Sequence, residues 1–150
     1  MSGWIDKLRQ DHQQIKRQVE ETRMVRDAAQ LLMPAVLKQI EKDLRYFSQQ
    51  FTDHRKFRGP ERTSTGAWFL ISDRFPACSL EYRISETAVE FERESWANSE
   101  CPKQRQGGTI WLKAEIDKGV WFEYEGERFL CVEDVSRFLL EDFLQKMIES

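Results

Sequence analysis

The sequence predicts an α+β fold: a long N-terminal helix, kinked or folded as a hairpin near Pro34, then an antiparallel meander of five to six strands, then a closing C-terminal helix. Three observations predict it. Apolar residues recur three and four apart from about Trp4 to Phe51, the period changes to two from Ala67, and it returns to helical spacing after Cys131. Consecutive strand patterns with no helical pattern between them read as a meander rather than a parallel sheet.

The helical segment takes residues 1–51. Ser2 is placed to cap it, and Asp6 stands in the first turn, where the helix dipole favours an acid. Its first apolar stripe is Ile5, Leu8, His12, Ile15, Val19 and Thr22; its second is Leu37, Ile40, Leu44, Phe47 and Phe51. Pro34 lies between them, lacks an amide hydrogen and crowds the carbonyl of Gln30. One kinked helix of this length would run roughly 70 Å, too long for one small globule to cover, and would call for a coiled-coil partner. A hairpin folding at Met33–Pro34 is the alternative, although no Gly, Asn or Asp stands there to turn on.

Residues 52–66, rich in polar side chains with Gly and Pro, read as a linker loop, and residues 67–131 read as the sheet. "AWFLIS" is a short apolar strand, and "ACSLEYRI" alternates cleanly. A turn at Ser85-Glu86 would pair Tyr82 with Val89 and Leu80 with Phe91. Loop Ser95–Gly108 separates this hairpin from a second one around Asp117-Lys118-Gly119, with Ile116 opposite Val120 and Lys113 opposite Glu123. Gly126-Glu127 leads into a last short strand. Residues 132–150 form the C-terminal helix, acidic early at Glu133 and Asp134 and basic late at Lys146. The whole reads as a single domain of 150 residues. Its inner sheet face carries Leu80, Tyr82, Val89, Phe91, Leu112, Phe122, Tyr124 and Phe129. The last helix covers that face through Val135, Phe138, Leu139, Phe143 and Met147.

Composition narrows the function. A net charge of −3 gives no global attraction to nucleic acid or anionic lipid, so a basic site must be local. No apolar run approaches the ~20 residues of a transmembrane helix, and the first residues lack the layout of a secretory signal. Three widely spaced cysteines, Cys78, Cys101 and Cys131, read as reduced thiols, and the compartment expected is the cytoplasm. The common phosphate-cradling, zinc-binding and nucleophile-elbow motifs are missing, and no cofactor is assigned.

Four features remain as sites. The helix seam of Ile5, Leu8, His12, Ile15 and Val19 is an interaction surface for a second copy or a helical protein partner. His12 stands there as a polar register residue, with no metal assigned; a fold at Met33 would instead bring Asp11-His12 opposite Asp53-His54 and make His12 and His54 candidate metal ligands. Arg55, Lys56, Arg58 and Arg62, with Phe57 to stack on a base, form a short phosphate- or nucleic-acid-contacting loop. Trp111 and Trp121 fall on the outer sheet face among Glu81, Glu90, Glu92, Glu115 and Glu123, where they need a cover. The second helical stripe is the expected cover, giving a helix–sheet–helix sandwich and leaving the first stripe unpartnered. The leading reading is a non-catalytic protein that works through protein–protein contacts and associates by its N-terminal helix. A nucleic-acid-associated regulator is the alternative, and an enzyme with a carboxylate or histidine pocket the third.

Overall fold

Helix α1 runs without a break from Gly3 to Gln50, 48 residues, in a computed structural model that describes residues 3–53, 56–72 and 74–149. The hairpin alternative is therefore overturned. Pro34 lies inside the helix on its exposed side, where water can satisfy the carbonyl that loses its partner. Met33, just before it, and Val36, two residues after it, are both buried and hold the two halves against one surface.

Seven strands follow, in sequence order across one antiparallel sheet. They are β1 (Arg58–Arg62), β2 (Trp68–Ser72), β3 (Ala77–Ile84), β4 (Ala88–Trp96), β5 (Gln104–Glu115), β6 (Gly119–Tyr124) and β7 (Glu127–Phe129), and α2 (Val132–Ile148) closes the chain. The segment expected to be a linker thus supplies an edge strand, β1. It pairs with β2 through an irregular register between Arg58 and Glu61, where Gly59 and Pro60 interrupt the ladder. Half of the expected loop Ser95–Gly108 is strand as well, because β4 reaches Trp96 and β5 starts at Gln104.

Both expected hairpin registers are displaced by two residues. Tyr82 faces Phe91 and Ile84 faces Val89, because Ser85 donates to the Ala88 carbonyl from its amide and its hydroxyl and lengthens the turn. Leu112 faces Phe122 and Ala114 faces Val120, with Gly119 at φ +84 closing the turn. A shift of two keeps every side chain on its own face, so the inner and outer sets survive the error. Lys113 stands opposite Trp121 rather than Glu123, yet its Nζ reaches Glu123 Oε2 diagonally at 2.5 Å. Between β6 and β7 the two-residue turn Glu125-Gly126 has both residues at positive φ, as a tight hairpin requires.

Both helices lie on the inner face, side by side. Ala29, Met33, Val36, Ile40, Leu44 and Phe47 of α1 join Val135, Leu139, Leu140, Phe143 and Met147 of α2 and the inner-face side chains in one core. Across the helix pair, Ser136 Oγ donates to Asp43 Oδ2 at 2.6 Å, and within α1 Gln39 Nε2 donates to the other oxygen, Asp43 Oδ1, at 3.0 Å. The expected helix–sheet–helix sandwich does not form. The inner face is wide enough for two helices, and α1 gains more by joining α2 than by covering a face studded with carboxylates.

Two details fix the inner layer. Arg93 spreads its guanidinium over Phe138 and Phe91, donates from Nη1 to Asp142 Oδ2 at 3.1 Å, and donates from Nη2 to the Phe138 carbonyl. Tyr124 lies over Gly108 and meets Phe91 and Phe138 with ring centroids 5.2 Å away in each case. A Cβ at Gly108 would stand 2.5 Å from Tyr124 Cε2, so Gly108→Ala must push the ring out of this cluster. We expect a loss of about 1–3 kcal/mol in urea unfolding; a loss below about 0.5 kcal/mol would show that Tyr124 is not held there.

Candidate functional site

The N-terminal third of α1 is a free arm. Every residue from Gly3 to Val19 is exposed, including the seam predicted from the sequence: Leu8 is 57% and Val19 65% exposed, and His12 is exposed among them. The helix holds its shape through local pairs, Asp6 with Arg9 at 3.7 Å and Glu20 with Arg23 at 2.6 Å. At the root of the arm Arg17 bridges Glu21 at 3.2 Å and Asp117, in the β5–β6 turn, at 3.0 Å. The shallow contact there is lined by Gln13, Gln14, Lys16, Arg17 and Ile116. It uses the polar side of the arm and none of the seam residues. The chain thus steadies the arm from behind and leaves its apolar side open.

The outer sheet face is also open, and its two tryptophans differ. Trp111 is 52% exposed beside Ala88 and Glu123. Trp121 is 5% exposed because its own strand neighbours cover it: Arg128 stacks on the ring at 4.3 Å, and the indole N–H donates to Glu123 Oε1 at 3.4 Å. Glu123 gathers Lys113 and Arg128, and the Lys113 hydrogen bond, then that of Trp121, hold its carboxyl below the ordinary value. The expectation that Trp121 awaits a partner is corrected by this local cover; Trp111 remains available.

The basic loop is only partly as expected. His54 and Arg55 lie outside the described residues. Lys56 is exposed, Arg58 sits 3.7 Å from Glu61, and Arg62 lies over Trp68 at 5.8 Å. Phe57, expected to stack on a base, instead packs between Phe47 and Phe143, with centroids at 6.4 and 5.7 Å. That removes the aromatic from the proposed nucleic-acid contact. The fold at Met33 on which the pairing of His12 with His54 depended does not form, since α1 carries the chain from His12 to Gln50 over roughly 57 Å at 1.5 Å per residue, and His54 itself lies outside the described residues. Among the described residues no group of three or more His, Cys, Asp or Glu is placed to hold a metal ion.

Two concavities were not legible in the sequence. A polar cleft of about 240 Å³ lies beneath the end of α2, but its charges are spent on one another. Arg93 pairs with Asp142, and Glu94 pairs with Lys103 at 3.5 Å and Arg105 at 3.1 Å. The second is an apolar groove of about 580 Å³ between α1 and α2, floored by Phe47, Leu140, Leu144 and Ile148 and rimmed by Asp43, Arg137, Glu141, Gln145 and Glu149. The signal for it was present: Leu140, Leu144 and Ile148 form a second apolar row beside Val135, Leu139, Phe143 and Met147, more than one sheet face can bury.

No family model, curated protein or solved structure matches this chain. Among the described residues no helix is long and apolar enough to cross a membrane. As a check on the outer face, Trp121→Ala should cost about 3 kcal/mol in urea unfolding, whereas Trp111→Phe should stay within about 0.5 kcal/mol. Equal costs would contradict the difference in cover.

Proposed function

We propose that this is a non-catalytic protein that works through protein–protein contacts and self-associates by its N-terminal amphipathic helix. The observation that supports this reading is the arm: Ile5, Leu8, Ile15 and Val19 share one side of a helix whose first 17 described residues, Gly3 to Val19, are all exposed. An amphipathic helix in water gains its stability by burying that side. Each aliphatic side chain fully buried contributes about 1.5–3 kcal/mol. Four of them contribute up to roughly 12 kcal/mol, which leaves about 8 kcal/mol, a micromolar affinity, over an association cost of about 4 kcal/mol. His12 interrupts the seam with a polar group, a device that sets register at the expense of affinity. The basic loop offers a weaker case for nucleic acid, since its aromatic is committed to the core.

The test is the solution mass by light scattering or sedimentation. At roughly 100 micromolar the wild-type chain should exceed its single-chain mass, given an affinity of micromolar order. Leu8→Glu with Ile15→Glu should return it to one chain while changing unfolding stability by less than about 0.5 kcal/mol, because both sites are exposed in the single chain. His12→Leu should tighten association by roughly tenfold. A wild-type protein that stays at the mass of one chain defeats the proposal.

A further inference from the structure

We infer that the groove between α1 and α2 receives the N-terminal arm of a second copy of this chain. The inference rests on the reading of the arm as the self-association element and names the surface that takes it. A helix laid into an apolar groove is a recurrent mode of recognition, with anchors spaced three and four apart.

Four observations converge on this occupant. The first is length. The seam from Ile5 to Val19 spans roughly 21 Å, and the groove follows α2 from Ser136 to Glu149 for roughly 20 Å. The second is apolar match, with Ile5, Leu8, Ile15 and Val19 on the arm and Phe47, Leu140, Leu144 and Ile148 in the groove.

The third is charge. Counting Ile5 and Leu8 as the two seam positions of a seven-residue repeat, Arg9, Lys16 and Arg23 recur at one flanking position and make a basic row. Arg9 and Arg23 have exposed local pairs with Asp6 and Glu20, and Lys16 borders the contact with Ile116. The α2 rim presents Glu141 and Glu149, eight residues and roughly 12 Å apart, against roughly 10 Å between Arg9 and Lys16. Asp43 stands on the α1 rim, with its oxygens already taken by Ser136 and Gln39. Among the described residues Arg137 is the single base of the rim, and it is paired back onto Glu141 at 3.1 Å in an exposed contact that holds Glu141 weakly.

The fourth is topology. The groove is walled by α1 itself around Asp43 and Phe47, some 24 residues and roughly 36 Å along the same unbroken helix from Val19. A chain cannot lay its own arm there without breaking α1, so the arm must come from another copy. Pairing arm with arm is the weaker solution, because two heptads with a histidine inside fall short of the three to four that a coiled-coil seam needs.

The test uses full-length protein and measures association. Glu141→Lys with Glu149→Lys should weaken it at least tenfold, and Arg9→Glu with Lys16→Glu should do the same. All four together should restore the wild-type constant to within about threefold. All of these sites are exposed, and circular dichroism and urea unfolding should confirm that each variant is folded. Zero-length carbodiimide crosslinking of mixed light and heavy-isotope copies should join Lys16 of one copy to Glu141 or Glu149 of another. The inference is overturned if the groove variant associates like wild type and the crosslink is absent, while Leu8→Glu still abolishes association. In that outcome the arm binds elsewhere, including another arm, and the reading of the arm itself stands. A wild-type chain of single mass overturns both.

Discussion

A mismatch of length governs this structure. At 1.5 Å per residue, α1 extends roughly 72 Å. The longest strand, β5, has 12 residues and reaches about 40 Å, and seven strands side by side make a sheet about 30 Å wide. The body can therefore bury the helix only from about Ala29 to Phe47 and must leave the rest outside it. Burial of Val36, Ile40 and Leu44 beside α2 sets where the helix leaves the body. The Arg17–Asp117 contact then sets the direction in which the arm continues. Pro34 would be the natural place to resolve the mismatch by folding back. It fails to do so because it faces water, while Met33 before it and Val36 after it are locked into the core.

The fold was legible where one face is wet and one is dry. Period-two alternation in Ala77–Ile84 and Gly119–Tyr124 marked which side chains point inward, and those assignments hold. Register was less legible, because a displacement of two residues leaves the alternation unchanged. What decides between the registers is turn chemistry, such as the Ser85 bonds to Ala88, which apolar pattern does not encode. Strand β1 escaped notice for a different reason: "RGPER" has neither alternation nor β-branched residues and is a strand through its partner β2 alone.

The surfaces were partly legible for the same physical reason. A stripe can be read from spacing, so the arm seam was visible from Ile5 to Val19. Whether a stripe is covered depends on which elements share a face, which spacing cannot give. The second stripe of α1 was therefore assigned to the outer sheet face, although it packs against α2. The groove follows from the same cause, since two helices laid side by side on one face leave a furrow between their outward rows. Trp121 shows the limit at the scale of one residue. Nothing in the local pattern tells an indole that awaits a partner from one roofed by Arg128 and Glu123 of the neighbouring positions.

The sheet margins carry a consequence of their own. An open seven-stranded sheet has two free ladders, each a template on which another chain could add a strand. Here one margin is β1, interrupted at Gly59-Pro60, where the proline offers no amide hydrogen. The other is β7, only three residues long. Both margins are poor templates for backbone pairing, so growth by strand addition is discouraged from either side. On the proposed reading, association then falls to side chains on helices, which discriminate by shape and charge, rather than to the backbone of the sheet edges.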